Sequence, residues 1–357
     1  MDESTDSSNV LRMRRKLTHL ARGFRAAQVL ITCSELGVFD ALIDGPATAE
    51  QIARAIECEP RGVRLLLNAG VALGLLELRD ANYFNSAQAD LCLTSAAAAS
   101  MSRSLRLEAA FYSRWSRLAQ AVRSGLRPEE DRRDEQDAGW VRRFVYGLYD
   151  SARLTAPFIA NALALADDRP LRVLDVGGCH GAYSLELARR HPQLTATVFD
   201  LPAVEPFATE IVRQSGLADR VSVQAGDFRL GEFTGVFDVA LVLGVLNGEP
   251  IDGRQELIRK VFRCLRPGGR IVLRDAVLNA DRAGPPDEAL VALHMLLATE
   301  DGGLDTVEDW ERWLSEAGFG PLERISLPDW LGSALWNAQK PHQGLPSGGD
   351  HPLDPGA

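Results

Sequence analysis

The sequence predicts an α/β protein in two parts: a doubly wound parallel sheet in the second half, preceded by a helical domain with a winged-helix outline. Three observations predict it. From Leu171 onward, short apolar runs alternate with stretches of helical period, the pattern of parallel strands joined by crossover helices. The first such run, Leu171–Val176, passes directly into Gly177-Gly-Cys-His-Gly181 and then into the helical stretch Ala182–Arg190. Before residue 100 the chain instead gives helix, turn, helix and a short hairpin. The sheet is thus expected to be Rossmann-like, with ligands at the carboxyl ends of its strands.

Each element has its own signal. Met1–Asn9 is polar and acidic, and is expected to be disordered. Residues 10–100 form the winged-helix-like domain. Within it Ala26, Val29, Leu30, Leu36, Phe39 and Leu42 fall near helical spacing. Thr48-Ala-Glu-Gln51 supplies a hydroxyl cap with an amide three residues on, so a helix starts there. Arg61–Leu75 carries another helix, ending near Gly74, and Leu76–Arg79 and Phe84–Asn85 form strands around Asp80-Ala-Asn82. Residues 101–167 form a helical connector, broken by the charged stretch Arg127–Asp137, which reads as a solvated loop. Residues 168–340 hold the sheet. Pro341–Ala357, rich in Pro, Gly, Asp and His without periodicity, reads as a disordered tail.

Composition narrows the function. A chain of 357 residues with 46% apolar and 25% charged residues is an ordinary globular protein with room for two domains. Its net charge of −10 argues against nucleic acid as a partner. Residues 1–100 carry ten Lys plus Arg against twelve Asp plus Glu, so the winged-helix outline lacks the basic face of a groove reader. The five cysteines are scattered without a CxxC pair, which suggests neither a disulfide framework nor a metal site and fits a reducing cytoplasm. No stretch approaches the roughly 20 apolar residues of a membrane span, and Leu17–Arg25 lacks the apolar run of a signal peptide.

The second half carries the chemistry. Small residues at the turn after Asp175 let the backbone approach a ligand, and the following helix start offers N–H groups. The next strand, Thr195–Phe199, ends at Asp200, where an acid can accept hydrogen bonds from both hydroxyls of a ribose. A third strand, Val221–Ala225, ends in Gly226-Asp227-Phe228. Three acids on three successive strand ends, in register with a glycine turn, form a nucleoside-binding pattern. Gly177, Gly178 and Gly181 do not fit the G-x-G-x-x-G spacing of a dinucleotide fingerprint, so a nicotinamide cofactor is not indicated.

At this point the chain resembles the class I S-adenosylmethionine-dependent methyltransferases, and within them the small-molecule O-methyltransferases of plant caffeic-acid and bacterial natural-product type. The matching stretches are Val173-Leu-Asp-Val-Gly-Gly178, Val198-Phe-Asp-Leu-Pro202, Gly226-Asp-Phe228, Leu265-Arg-Pro-Gly-Gly269, Ala317-Gly-Phe319 and Gly45-Pro-Ala-Thr-Ala-Glu50. The resemblance covers about residues 20 to 340. It implies S-adenosyl-L-methionine as cofactor, with Asp175, Gly177, Gly178 and Gly181 in the methionine-side loop, Asp200 and Leu201 at the ribose, and Asp227 with Phe228 at the adenine. It implies a small-molecule acceptor, and a homodimer formed through the N-terminal domain. Cys179 departs from the pattern by standing where the family has a glycine.

The catalytic positions depart further. Relatives that methylate a phenol carry a His after the fourth strand, and acids on neighbouring elements orient it. Here Val245-Leu-Asn-Gly-Glu-Pro250 puts Asn247 at that position, and an amide cannot accept a proton near neutral pH. One orienting acid matches as Asp275; the other is replaced by Leu304. The family pattern also puts His294 and Met295 on a helix lining the acceptor pocket, so His294 is a candidate displaced base and Met295 a contact of the acceptor. Phe111, Tyr112, Trp115, Phe144, Tyr146 and Tyr149 lie on the two helices before the sheet, where Tyr112 and Phe144 are candidate pocket walls. His180 is expected to pack near the cofactor loop, and Trp310 and Trp313 to be packing residues.

Two enzymatic readings follow. In the first, methyl is transferred to a small aromatic or polycyclic metabolite by proximity, without the usual base. In the second, the sulfonium serves as a fixed positive charge for a non-methylating reaction such as a hydroxylation, decarboxylation or pericyclic step.

Overall fold

The computed structural model describes residues 7–130, 137–166, 168–332 and 334–342 and divides into two units. The first runs to Ser116 and includes Tyr146–Leu154; the second comprises Arg117–Val145 and the chain from Thr155 onward.

In the first unit, helices α1 (Ser7–Ala21), α2 (Phe24–Glu35), α3 (Ala49–Ala55) and α4 (Pro60–Ala72) precede strands β1 (Leu76–Arg79) and β2 (Asn82–Asn85). Helices α5 (Ala87–Cys92) and α6 (Ser102–Trp115) follow. The cap expected at Thr48 is present in both directions: Gln51 N–H donates to Thr48 Oγ1 at 3.3 Å, and Thr48 N–H donates to Gln51 Oε1 at 2.8 Å. Helix α4 starts on Pro60, is capped by Glu59, and stops before Gly74 in the left-handed region (φ +73°). The hairpin turn places Asp80 and Ala81 at positive φ, and β2 starts at Asn82, two residues earlier than composition implies. Cys33, Phe39, Leu42, Ile52, Leu67, Leu76 and Tyr83 form this unit's core. Helix α1 begins at Ser7, inside the stretch read as disordered, and buries none of its residues; residues 1–6 lie outside the described ones.

The second unit holds helix α7 (Leu118–Ser124), both ends of helix α8 (Ala138–Leu163), whose Tyr146–Leu154 stretch belongs to the first unit, and a seven-stranded mixed sheet. Its strands are β3 (Arg172–Val176), β4 (Thr195–Asp200), β5 (Val221–Ala225), β6 (Phe237–Leu243), β7 (Leu265–Arg274), β10 (Glu323–Ile325) and β11 (Leu335–Gln339), while β8 (Val277–Leu278) and β9 (Asp305–Thr306) form a separate parallel pair. They lie in the order β10-β11-β7-β6-β3-β4-β5, with five central and edge strands parallel and β11 antiparallel to both its neighbours. The chain winds outward from β3 to β5 and then crosses back to β6. The switch point therefore lies between β3 and β6, where ligands of such sheets bind. β3 and β6 are buried almost throughout, as strands covered on both faces must be. The core packs Leu174, Val176, Ala240, Val242, Ile271 and Leu273 against Leu257, Ile258, Val261, Trp310, Trp313 and Leu314. Trp310 and Trp313 are thus packing residues. Of the charged stretch Arg127–Asp137, residues 131–136 lie outside the described ones, as does the tail from residue 343. No helix among the described residues is long and apolar enough to cross a membrane.

Candidate active site

The turn after β3 is shaped by packing. A Cβ at Gly177 would lie 2.7 Å from Val245 Cγ2, and one at Gly178 would lie 2.7 Å from the Asp175 carboxyl carbon. Glycine is therefore required by close approach of the loop to the neighbouring strand ends. Gly177, Cys179 and Gly181 all have positive φ, at +59°, +48° and +66°. Gly181 then caps helix α9 (Ala182–Arg190) without a side chain. Cys179 is the non-glycine residue of this set, held in a conformation that costs an L-residue about 1–2 kcal/mol. Its thiol is pushed up by burial and by the neighbouring carboxylates.

Beneath the loop, Asp175 is buried and accepts the Ser184 hydroxyl at 2.7 Å. Burial pushes its carboxyl up to about 7, against the opposing Ser184 hydrogen bond. His180 is also buried, and its Nδ1 accepts the Ala182 N–H at 3.1 Å, a bond that requires a neutral ring. Burial pushes its pKa down to about 4. It helps build the start of α9.

Asp200 ends β4 with one backbone donor on each oxygen: Cys179 N–H to Oδ2 at 2.8 Å and Leu201 N–H to Oδ1 at 2.7 Å. Each oxygen keeps a lone pair for a hydroxyl, and the carboxylate is fixed in place before any ligand arrives. Leu201 is 40% exposed beside it. Asp227 follows β5 and is clamped by Arg229, Nε to Oδ1 at 2.9 Å and Nη2 to Oδ2 at 2.8 Å, which lowers its pKa. Phe228 lies against the sheet core, and the buried Lys260 ties its carbonyl (2.6 Å) and that of Gly231 (2.8 Å). This side of the sheet edge fits an adenosine: a shaped glycine turn, a pre-set carboxylate and an apolar ring lie on three successive strand ends.

Beyond the switch point, the 3-10 turn Leu246–Gly248 leaves β6. Asp275, at the end of β7, accepts the Leu246 N–H at 3.0 Å, and burial pushes its carboxyl up to about 7 while backbone donors oppose the shift. Asn247 is 5% exposed; its Nδ2 donates to the Ala276 carbonyl at 3.1 Å, and its own carbonyl accepts the Gly303 N–H at 2.9 Å. Leu304 is buried, and the next residue, Asp305, forms a buried ion pair with Arg254. Arg254 Nε also donates to the Glu249 carbonyl at 2.7 Å, and Trp310 Nε1 donates to Asp305 at 3.1 Å. The turn is thus pinned from two sides. Sequence reading missed this pairing because its members are 51 residues apart and no local spacing links them.

His294 and Met295 lie half-buried on helix α12 (Pro286–Ala298), which follows helices α10 (Glu205–Gln214) and α11 (Ile251–Cys264) in the chain. Apart from its acidic first turn and His294, α12 is apolar, yet among its residues only Leu297 is buried. Phe144 is half-buried on α8, stacked with Trp140 at a ring-centroid distance of 5.0 Å. Tyr112 lies on α6 in the first unit and is 40% exposed. A cleft of about 450 Å³ flanks the 248–250 turn, lined in part by Arg229, Glu249, Asp252 and Thr299. Among the described residues no group of three or more His, Cys, Asp or Glu could hold a metal ion.

Comparison with known proteins places this fold and site in a family. Residues 129–320 match the O-methyltransferase domain, and residues 18–95 match the O-methyltransferase dimerisation domain. The chain belongs to the S-adenosylmethionine-dependent O-methyltransferase family. It is 32% identical over 314 residues to the 3-hydroxy-5-methyl-1-naphthoate 3-O-methyltransferase of Streptomyces sahachiroi, covering 87% of this chain and 90% of that one. An N,N-dimethyltransferase of Streptomyces rimosus is 30% identical over 336 residues, covering 92% and 96% of the two chains. The solved structure of human N-acetylserotonin methyltransferase in complex with S-adenosylmethionine superposes with a TM-score of 0.83 at 27% identity, covering 96% of this chain and 100% of that one. The enzyme is therefore a methyltransferase that uses S-adenosyl-L-methionine, built on a class I sheet with an N-terminal dimerisation domain.

Proposed function

We propose that this enzyme methylates a small aromatic or polycyclic metabolite by holding it against the cofactor, without a histidine base. The observation that supports this reading is Asn247, buried and hydrogen-bonded to the Ala276 carbonyl at the position to which the resemblance assigns the family's base, beside an Asp275 already engaged with the backbone. When bound, S-adenosylmethionine supplies an electrophilic methyl group on a sulfonium. The Gly177–Gly181 loop, resting on Asp175, would cradle the methionine end. Asp200 with Leu201 would hold the ribose, and Asp227 with Phe228 the adenine. The largely apolar α12, with Met295 and His294, would face the acceptor, and Phe144 would supply a wall. His294 is the side chain to test as a substitute base. Orientation alone can supply several kcal/mol toward transfer when reacting atoms are held near contact.

The related naphthoate enzyme methylates a fused-ring phenol by its name, and the related dimethyltransferase methylates nitrogen, which together support a ring-bearing acceptor and leave O and N both within reach. A homodimer through the first unit is supported by the matched dimerisation domain and by the exposed Leu11, Met13, Leu17 and Leu20 on α1. A cytoplasmic setting is supported by five free cysteines. The test is calorimetric titration with S-adenosylhomocysteine, followed by label transfer from methyl-labelled cofactor to hydroxynaphthoates and aminonaphthalenes. Binding at one site per chain with labelled product is expected. Binding with cofactor recovered intact across the acceptor panel would overturn the transferase reading.

A further inference from the structure

The loop that carries Asp227 and Phe228 has little regular structure to hold it. Residues 226–236 contain neither helix nor strand, and they leave β5, an edge strand of the sheet. At its start, Gly226 N–H donates to the Asp200 carbonyl at 2.8 Å, and Leu230 N–H closes a turn on the Asp227 carbonyl at 3.0 Å. Further along, the buried Phe233 packs edge-on against Phe199, with ring centroids 5.2 Å apart. Between these anchors, the carbonyls of Phe228 and Gly231 both accept from one ammonium, Lys260 Nζ, at 2.6 and 2.8 Å. Lys260 is 7% exposed and lies on α11 beside the buried Leu257, Val261 and Cys264. A lysine buried this deeply is uncommon and persists where its donors find acceptors. The helix that presents it is itself pinned by the buried Arg254–Asp305 pair. One side chain on a fixed helix thus sets where the backbone after β5 stands.

We infer that Lys260 is a positioning residue for base recognition: acting through the Phe228 and Gly231 carbonyls, it sets the adenine end of the cofactor pocket and with it the preference for a 6-amino over a 6-oxo purine. This rests on the reading of Asp227 and Phe228 as the adenine contacts. An ionised carboxylate only accepts hydrogen bonds, so at Asp227 it matches an exocyclic amino group and opposes a carbonyl oxygen. Such discrimination requires the acceptor to be held in place, because hydrogen bonds weaken steeply with distance and angle. The carboxyl of Asp227 is kept below the usual range, first by its hydrogen bonds to Arg229 and last by the charge of Lys260. The same ammonium therefore fixes the loop and favours the acceptor-only form of the residue it carries.

The experiment titrates the full chain calorimetrically with S-adenosylhomocysteine and with S-inosylhomocysteine, which keeps the homocysteine and ribose but carries oxygen in place of the 6-amino group. Wild-type protein should prefer the adenosyl ligand by at least about tenfold. In Lys260→Met, which keeps the length of the side chain and removes its donors, the adenosyl ligand should weaken by about tenfold and the inosyl ligand by less than about threefold. Lys260→Arg, which keeps a cation with several N–H donors, should retain the wild-type preference. Lys260→Leu gives the same readout as the methionine variant if that one fails to fold. A preference unchanged in the donor-free variants overturns the inference, as does an equal weakening of both ligands, which is what a merely structural lysine would produce. Wild-type protein that binds neither ligand, or binds both equally, would instead overturn the reading of Asp227 and Phe228 on which it rests.

Discussion

At the scale of single residues, the site is built from carboxylates held by backbone donors. Asp200 accepts one N–H on each oxygen, so its position does not depend on the ligand. Asp200→Ala should weaken S-adenosylhomocysteine binding by roughly 30- to 1,000-fold if two charge-assisted bonds to the ribose are lost, read by calorimetry. Cys179 sits at φ +48°, a conformation glycine adopts freely, so Cys179→Gly should leave cofactor affinity nearly unchanged. It should raise the free energy of unfolding by no more than about 1 kcal/mol in a urea titration, since relief of strain is partly offset by glycine's unfolded entropy. The two buried titratable groups beside the loop pull stability in opposite directions. Asp175 is raised from 3.8 to about 7, so the native state keeps a proton the unfolded chain has released. Its contribution is complete below pH 3.8 and is lost as pH rises through 7. His180 is lowered from 6.5 to about 4, so its contribution is present above 6.5 and is lost as pH falls through 4. Denaturant titrations across pH 4–8 should show Asp175→Asn removing a falling component and His180→Gln removing a rising one.

At the scale of elements, the strands were legible because their signals are local. β4 and β5 are apolar runs closed by an acid or a Gly-Asp pair, and they form at Thr195–Asp200 and Val221–Ala225. Helix α9 spans Ala182–Arg190, as the glycine turn before it implies. The Thr48 cap was legible for the same reason, since both partners lie three residues apart. What joins elements was not. Ser184 under Asp175, Val245 against Gly177 and Lys260 on the Phe228–Gly231 loop are contacts between distant stretches with no spacing rule. The buried Arg254–Asp305 pair is the strongest example, since it ties α11 and the Glu249 carbonyl to the segment after α12. Arg254→Met should cost about 3–5 kcal/mol of stability, because it strands a buried carboxylate. Pairing it with Asp305→Leu should recover much of that loss, and urea unfolding of the two variants decides.

At the scale of the whole molecule, the chain leaves apolar surface on α1 that a soluble monomer would bury or lack. Leu17 and Leu20 are 66% and 79% exposed. Leu17→Glu with Leu20→Glu should convert a dimer to a monomer in sedimentation analysis while each unit stays folded by circular dichroism. The switch-point crevice with its glycine turn was predictable from sequence because winding order and strand-end acids determine it together. Whether a side chain serves as base was not, because an Asn in one sequence reveals neither its partner nor its burial. The most direct measurement of the central claim is the pH dependence of label transfer from methyl-labelled cofactor to two hydroxynaphthoates of different phenol pKa. Transfer without a protein base predicts a profile whose midpoint moves with the acceptor's own pKa and is the same in His294→Gln. An inflection that stays fixed when the acceptor is exchanged and disappears in His294→Gln would contradict it.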